Sequence, residues 1–332
     1  MKRIHILLEE KWNTESMPDA AAAVRAYQEY GFDTDLWILE EQDRITEEQD
    51  RIIGEQSAIP HEPTSDTVTG PNGPHSSTLS PGVADTLFIA DSARLLRQLA
   101  EAGAAFCAYS HGGNSGEDLS AAEYILMEPQ WVDEDSLVKI WQRQRNIPWT
   151  ILETERCIVR EFVPEDTDAL YDLYDEEAKR FLEPPSRNRS LEREILTSYI
   201  RRVYRLCGYG HWAVICKKTG ELIGRMGFAF PPSPAPVCDP VPDAMFGYLV
   251  RSDRRRQGIA RETGAAILQY GFEKLGFIAI GADAAVSNTV SDKILRNFSF
   301  IPVAEVQKQR YYILHGTDWD RCPAHEAQSR RE

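Results

Sequence analysis

The sequence contains no run of apolar residues long enough to span a membrane, so we expect neither an integral membrane protein nor a membrane partner. Its first residues, Met1-Lys2-Arg3-Ile4-His5, are basic, but no long apolar stretch or small-residue cleavage site follows, which argues against secretion. The six cysteines show no Cys-x-x-Cys spacing, which argues against a zinc site and a disulfide framework. A cytoplasmic protein without a bound metal is therefore predicted.

Positive charge is also in short supply, and its distribution is uneven. The chain has 37 Lys and Arg against 52 Asp and Glu, a net charge of −15. Residues 1–150 hold 11 of the basic and 26 of the acidic residues, so the remainder holds 26 of each and is neutral. Because phosphate contacts need a basic face, we do not expect nucleic acid as the main partner.

The N-terminal part of the chain alternates predicted strands with predicted helices. Apolar stretches at 4–8 and 36–39 are typical of strands, and a helix is predicted between them. Residues 57–84 are rich in Pro, Ser, Thr and Gly, a composition typical of a mobile loop or linker. The alternation then resumes, so residues 1–148 are predicted to form a small, acidic, Rossmann-like α/β domain with a disordered loop at 57–84.

The stretch from Gly247 to Glu262 carries the clearest chemical signal. A predicted strand runs into a tight loop at Gly258, which opens a predicted helix. Backbone N–H groups at such a junction attract anions, and glycine lets the backbone approach a phosphate closely. Five arginines add positive charge in a domain that is neutral overall: Arg251, Arg254, Arg255, Arg256 and Arg261. The pattern therefore predicts a pyrophosphate site.

This region resembles the coenzyme A loop of the GNAT acetyltransferases. Their loop has the form Gln/Arg-x-x-Gly-x-Gly/Ala, which Arg255-Arg256-Gln257-Gly258-Ile259-Ala260 fits at every fixed position. Further matches occur in the same order as in the branch that acetylates ribosomal-protein N-termini. They are Thr154-Glu155-Arg156, Gly247-Tyr248, Glu262, Asn288-Thr289-Val290-Ser291 and Ser299-Phe300.

The resemblance implies a GNAT fold over residues 149–316, followed by a flexible tail at 317–332. That fold is α/β, with a mixed, mostly antiparallel central sheet in which the strands holding Tyr248 and Phe277 splay apart. Acetyl-CoA would fill the opening as co-substrate, and a primary amine would attack its thioester directly. The acceptor implied is a peptide N-terminus or a small-molecule amine, and a homodimer is left open. The implied coenzyme-binding residues are Tyr248, Leu249, Val250, Arg255, Arg256, Gln257, Gly258, Ile259, Ala260, Arg261 and Asn288.

The catalytic assignment is less constrained by the resemblance. Asn288 and Ser291 correspond to family positions near the coenzyme's thiol end. Many relatives carry a carboxylate at the position of Met245, so the general base here is open between Asp243, His211 and ordered water. Glycines of the family pattern are replaced at two positions, by Arg256 and by Ser299.

The N-terminal domain carries a partial resemblance to haloacid-dehalogenase-like hydrolases. Phe88-Ile89-Ala90-Asp91-Ser92 would place Asp91 at a strand end where that family has a magnesium-binding acid. The family's Asp-x-Asp nucleophile motif has no counterpart after the first strand, which ends Leu7-Leu8-Glu9-Glu10-Lys11. We therefore expect this domain to be non-catalytic. Two alternatives to an acetyltransferase remain: a CoA-binding sensor without activity, and a phosphohydrolase activity in the N-terminal domain.

Overall fold

The computed structural model describes residues 1–9, 11, 13–39, 84–232 and 241–322. Its residues form two compact units, Met1–Ile147 and Pro148–Glu332. Except for Ala84, the loop predicted at 57–84 lies outside the described residues. No helix among the described residues combines the length and the apolar character needed to cross a membrane.

The N-terminal unit is built on a five-stranded parallel sheet in the order β2-β1-β3-β4-β5. Its described elements are β1 (Arg3–Glu9), α1 (Asn13–Glu29), β2 (Asp33–Leu39), β3 (Thr86–Ala90), α2 (Ala93–Glu101), β4 (Ala105–Tyr109), β5 (Ile125–Leu126) and α3 (Glu134–Gln144). Strands β1 and β3 are almost continuously buried because helices cover both faces of the sheet. Helices α1 and α3 pack on one face and α2 on the other, which confirms the predicted Rossmann-like layering.

The C-terminal unit contains an eight-stranded sheet in the order β12-β13-β11-β10-β9-β8-β7-β6. Its elements are β6 (Thr150–Glu153), β7 (Cys157–Arg160), α4 (Thr167–Asp172), α5 (Arg189–Tyr199), α6 (Arg205–Cys207), β8 (His211–Cys216), β9 (Leu222–Ala229), β10 (Ala244–Val250), α7 (Ile259–Glu273), β11 (Ala279–Ala285), α8 (Thr289–Asn297), β12 (Ile301–Val306), β13 (Gln309–His315) and α9 (Gly316–Trp319). A π-helical turn, Ile200–Tyr204, joins α5 to α6. The β10–β11 pair is parallel, and the other described pairs of this sheet are antiparallel.

The predicted splayed strand pair is β10 and β11. These strands are paired only at Ala244 with Ile280 and at Met245 with Gly281, and they separate beyond those positions. On its other side, β10 pairs with β9 along its whole length, so the opening is one-sided. Phe277, predicted to lie on the second splayed strand, precedes β11 and packs its ring against Phe228. The mixed, mostly antiparallel sheet expected from the sequence is confirmed.

The chain end differs from the prediction of a flexible tail starting at residue 317. Residues Gly316–Trp319 form helix α9, and the Trp319 side chain is buried against Phe272 and Phe298. Cys322 is also buried. A helix of four residues is too short to show an apolar period, so the sequence pattern could not reveal it. The remainder of the predicted tail, 323–332, lies outside the described residues.

Candidate active site

The loop between β10 and α7 has the conformation of an anion-binding turn. Gly258 adopts φ +79° and serves as the N-cap of α7, and Arg256 is also left-handed at φ +61°. No backbone or side-chain acceptor among the described residues receives the N–H groups of the six residues from Arg256 to Arg261. Six consecutive unpaired donors at the N-terminus of a 15-residue helix form a concave site suited to a pyrophosphate.

Arg156 fastens this loop to the rest of the unit. Its guanidinium donates to the Gln257 carbonyl oxygen (2.8 Å) and to Glu262 Oε2 (2.6 Å), while its backbone N–H donates to Glu262 Oε1 (3.0 Å). Burial raises the pKa of Glu262, but the hydrogen bonds from Thr154 and Arg156 outweigh it and leave the pKa below its ordinary value. Glu262 is therefore an ionised packing carboxylate at the helix start.

Three of the five loop arginines are already neutralised by carboxylates of the chain. Arg251 and Arg254 both contact Glu221 and Asp253. Arg255 makes a bidentate ion pair with Asp175 (2.8 and 2.9 Å) and donates to the Val250 carbonyl oxygen. In this geometry the guanidinium of Arg255 holds the loop in place, and its contact with the coenzyme stays a prediction.

Arg256 and Arg261 are the remaining sources of positive charge beside the unpaired amides. Both side chains are exposed, and no carboxylate within the described ranges forms an ion pair with them. Ile259 is buried and Ala260 half-buried in the first turn of α7, so both act through their backbone N–H groups.

Two departures from the family pattern have a common backbone explanation. Arg256 and Ser299 replace glycines of that pattern, and both adopt positive φ angles, +61° and +67°. The chain has kept the left-handed turns while losing the residue that adopts them without strain. Ser299 follows the C-terminal end of α8 and donates its N–H to the Arg296 carbonyl oxygen, as in a helix-terminating turn.

We expect Ser299→Gly to stabilise the C-terminal unit by about 1 kcal/mol, because glycine removes the left-handed strain at this turn. Thermal unfolding should show the corresponding transition about 2–4 °C higher. Ser299→Ala is the matched control, since it removes the hydroxyl but keeps the strain, and it should not raise the transition. Equal stabilisation by alanine and glycine would contradict the backbone explanation.

The predicted thiol-end residues meet between β10 and α8. Asn288 is the N-cap of α8, and its Oδ1 accepts the Ser291 N–H (3.1 Å). The Tyr248 hydroxyl donates to Ser291 Oγ (3.1 Å). Burial raises the pKa of Tyr248 to about 12, so the phenol stays a neutral hydrogen-bond donor. The structure thus gives Asn288 a capping role; its contact with the coenzyme stays a prediction.

His211 lies beside the vertex of the β10–β11 opening. Its Nε2 lies where a Cβ atom on Gly247 would approach to 2.8 Å, so only glycine at 247 leaves room for the ring. The His211 N–H donates to Tyr199 Oη (2.7 Å), and the Tyr204 hydroxyl donates to the His211 carbonyl oxygen (2.6 Å). Burial and the nearby Arg225 lower the pKa of His211 to about 3, which keeps the imidazole neutral.

Asp243 is engaged in backbone hydrogen bonds at the start of two strands. Its Oδ2 accepts the N–H groups of Ile278 (2.7 Å) and Ala279 (3.0 Å), and this clamps the start of β11 to the start of β10. The geometry favours a structural role for Asp243. Of the two side chains predicted as a base, His211 alone combines a neutral nitrogen with a position over Gly247.

Arg225 lies near His211 and was not among the side chains singled out from the sequence. It lies in the middle of β9, opposite Ala213 of β8 and Leu249 of β10, and its side chain is half-buried. Its guanidinium lies over the ring of the buried Tyr174, 5.8 Å from the centroid. The available signal was a single arginine inside an otherwise apolar strand, Leu222-Ile223-Gly224-Arg225-Met226.

Polar side chains at the carboxyl edge of the N-terminal sheet pair mostly with one another, and Asp91 Oδ2 lies 3.5 Å from His111 Nε2. Glu9 is the last residue of β1 and Asp91 directly follows β3, where the strand order reverses. Glu9 accepts from Ser92 and Arg94, and its N–H donates to Asp91 Oδ1. The Glu117 carboxylate accepts the Ala93 N–H, so it fills the anion position at the start of α2. This arrangement gives no support to a phosphohydrolase site and leaves the dehalogenase-like likeness as a prediction.

The ionisation of Asp91 makes the stability of the N-terminal unit depend on pH. Burial raises the pKa of this carboxyl to about 7, against the opposing hydrogen bond from Glu9 N–H. Between pH 4 and 7 the folded state therefore holds a proton that the unfolded state has lost. We expect the free energy of unfolding to fall by roughly 3–4 kcal/mol as pH rises through this window and to level off above it.

This response is best followed by hydrogen exchange at the amides of β3 as a function of pH. Asp91→Asn should abolish that component of the slope, because the amide oxygen still accepts from Glu9 N–H but does not titrate. Glu101→Gln, an exposed change in α2, is the control and should keep it. An unchanged slope in Asp91→Asn would contradict the assignment.

Among the described residues, no group of three or more His, Cys, Asp or Glu side chains has a geometry that could hold a metal ion.

The C-terminal unit also matches known proteins in sequence. Residues 156–301 match a family model described as an acetyltransferase (GNAT) domain. An uncharacterized N-acetyltransferase of Bacillus subtilis (strain 168), YoaA, is 27% identical over 172 residues, covering 51% of this chain and 92% of that protein. The family match lies wholly within the C-terminal unit.

Similar solved structures cover about the same half of the chain. The ribosomal-protein-S5-alanine acetyltransferase of Vibrio fischeri is 16% identical with a TM-score of 0.43, covering 51% of this chain and 97% of that one. Mycobacterium smegmatis RimJ, in complex with CoA-disulfide, is 17% identical with a TM-score of 0.41, covering 53% and 90% respectively.

Proposed function

Because residues 156–301 form an acetyltransferase domain of the GNAT family, we propose that the protein transfers the acetyl group of acetyl-CoA to a primary amine, with a peptide N-terminus as the leading acceptor. The observation that carries this proposal is the row of unpaired N–H groups from Arg256 to Arg261 at the end of a one-sided opening in the sheet. A pyrophosphate at one end of β10 and a thioester at the other fit that arrangement.

The coenzyme would lie along the open edge of β10. The amides from Arg256 to Arg261 bind the pyrophosphate, and the backbone of Leu249 and Val250 pairs with the pantetheine amides as an added strand would. The Val250 carbonyl oxygen already accepts from Arg255, which fixes the strand end where the coenzyme enters. Because β10 and β11 rejoin at Met245, the thioester stops near Gly247.

The amine attacks the thioester carbonyl carbon directly. A C–N bond forms, the carbonyl oxygen becomes an oxyanion, and the C–S bond then breaks to release CoA thiol. Holding the two reactants together supplies a large part of the rate enhancement. The neutral His211 imidazole, over Gly247, orients the amine and accepts its proton directly or through water, while Tyr248 and Ser291 lie at the thiol end as donors.

A CoA-binding sensor is the second candidate. The observation that favours it is Met245, which stands where many relatives carry a carboxylate and whose Sδ lies 2.5 Å from the position of a Cβ on Gly281. The structure offers no carboxylate there, so a chemically active site has to rely on His211 or water.

One experiment separates the two candidates. The full chain is incubated with acetyl-CoA and a pooled panel of amines and peptides, and thiol release and product mass are followed together. The transferase proposal predicts acceptor-dependent thiol release and an acceptor that gains one acetyl group. Tight acetyl-CoA binding without turnover across the panel supports the sensor, and the absence of acetyl-CoA binding contradicts both.

A further inference from the structure

Arg225 differs from the arginines of the coenzyme loop in its partners. Arg251, Arg254 and Arg255 each contact carboxylates of the chain. Arg225 is half-buried on β9, yet no carboxylate among the described residues lies within ion-pair distance of it. Its neighbour is Tyr174, whose ring attracts a cation and whose hydroxyl interacts with the guanidinium, but which carries no charge.

Partial burial of a guanidinium without a counter-ion costs free energy, unless a ligand supplies the anion. Removing a charge from water lowers its solvation, and protein charges away from solvent are ordinarily paired or hydrogen-bonded. Guanidinium groups bind carboxylates with two parallel hydrogen bonds, so an incoming carboxylate is the natural complement.

Arg225 lies on the same face of the sheet as His211, beside Gly247. His211 is paired with Gly227, two residues beyond Arg225 on β9, and side chains two apart on a strand share one face. Arg225 also packs in the region of Ala213 and Leu249, which contact α4 and α5 on that same face. Burial and then the charge of Arg225 lower the pKa of His211, and the same charge opposes the rise that burial causes in the pKa of Tyr199, as expected for close neighbours.

We propose that Arg225 binds a carboxylate of the acceptor, so that the preferred acceptors are amines carrying a carboxylate close to the reacting nitrogen. This inference rests on the proposed acetyl transfer and names the substrate class of that site. Two sources share the chemistry: an acidic side chain at the second position of a peptide, and the carboxylate of an amino-acid-like amine.

Binding of an acceptor carboxylate to Arg225 would also change the pKa of His211. Arg225 is the second cause, after burial, of the low pKa of His211. A bound carboxylate beside the guanidinium offsets that positive charge, so the pKa of His211 rises when the matching acceptor is in place. Selection of the acceptor and acceptance of its proton are therefore coupled through one side chain.

The test compares matched acceptors that differ only in charge. Peptides beginning Ser-Asp and Ser-Asn form one pair, and serine with serinamide forms the other. Each is assayed by thiol release with the wild-type chain, Arg225→Gln, Arg225→Lys and the control Arg321→Gln, whose arginine is exposed elsewhere on the same unit. The affinity for acetyl-CoA is measured in parallel for every variant.

For wild type and for Arg321→Gln we expect kcat/KM to favour the anionic member of at least one pair by about tenfold or more. Arg225→Gln should reduce that ratio to within about twofold of unity, and Arg225→Lys should keep part of it, with acetyl-CoA affinity unchanged in both. The pair that shows the preference identifies the carboxylate's source.

The outcomes separate this inference from the proposed function. Equal turnover of charged and neutral acceptors by the wild type, or a preference that survives in Arg225→Gln, contradicts the role of Arg225 but leaves acetyl transfer standing. A wild-type chain that binds acetyl-CoA and acetylates none of the four acceptors or the wider amine panel contradicts both.

Discussion

Gly258→Glu is expected to weaken acetyl-CoA binding by about 4 kcal/mol, a factor of about 1000. The substitution acts in two ways. It places a side chain at a residue with φ +79°, which strains the turn that directs the amides, and it adds a carboxylate beside the proposed pyrophosphate. The nearest atom to the new Cβ would be Nη2 of Arg156 at 3.4 Å, so the change reaches the residue that fastens the loop.

Gly276→Glu is the matched control for strain and charge. Gly276 also has a left-handed backbone, φ +70°, but a Cβ there would meet no atom within 4 Å. Isothermal titration of acetyl-CoA into both variants and the wild type should show loss of affinity in Gly258→Glu alone. Wild-type affinity in Gly258→Glu would refute the placement of the pyrophosphate at this loop.

The pH profile of kcat/KM is expected to reflect the ionisation of the acceptor amine and not the ionisation of an enzyme side chain. Since the pKa of His211 is about 3, its imidazole is neutral throughout the working range. The group that must lose a proton before attack is the acceptor ammonium, with a pKa of about 8 for a peptide N-terminus. The rate should therefore rise about tenfold per pH unit well below that pKa, about 50-fold in all from pH 6 to 8, without an inflection near 6.5.

Variants of His211 refine this prediction. His211→Ala should lower kcat/KM by about 100-fold at every pH while leaving the shape of the profile unchanged. Acceptors with different amine pKa values should move the inflection with them. An inflection near 6.5 that is independent of the acceptor and disappears in His211→Ala would show that the free enzyme titrates there instead. Because kcat reports the bound complex, its profile is free to shift when an acceptor carboxylate pairs with Arg225.

Local sequence patterns predicted the strand–turn–helix junction at Gly258 correctly because its geometry is encoded locally. A left-handed Gly258 directly before the apolar period of α7 is sufficient to indicate a strand–turn–helix junction. The Asn288 cap is local in the same sense, because Asn288 Oδ1 accepts the N–H of a residue only three positions away. Such features depend on neighbours in the chain.

The contacts that assign roles to individual side chains depend on distant neighbours. Arg255 meets Asp175 across 80 positions, and Arg156 meets Glu262 across 106. Without those partners, the sequence shows a cluster of arginines beside a glycine but not which of them remain available to an anion. Asp243 was predicted as a possible base. Its clamp on the start of β11 is likewise a contact over 35 positions, which the sequence pattern does not show.

The N-terminal unit illustrates the same limit. The alternation of strands and helices predicted its parallel sheet, since period and composition carry that information. The sequence could not show the protonation state of Asp91. That state depends on Glu9 and on burial at the edge where β1 and β3 lie side by side. The structure shows that Glu117 fills the position an anionic ligand would need at the start of α2.

The most direct test of the central claim is to incubate the full chain with acetyl-CoA and a peptide panel that includes the Ser-Asp and Ser-Asn pair, and to record the mass of each peptide. The account predicts that an acceptor gains one acetyl group at its N-terminus, with one CoA thiol released per product, and that Gly258→Glu forms no product under the same conditions. Product formation at the wild-type rate by Gly258→Glu, or a wild-type chain that neither binds nor consumes acetyl-CoA, would contradict it.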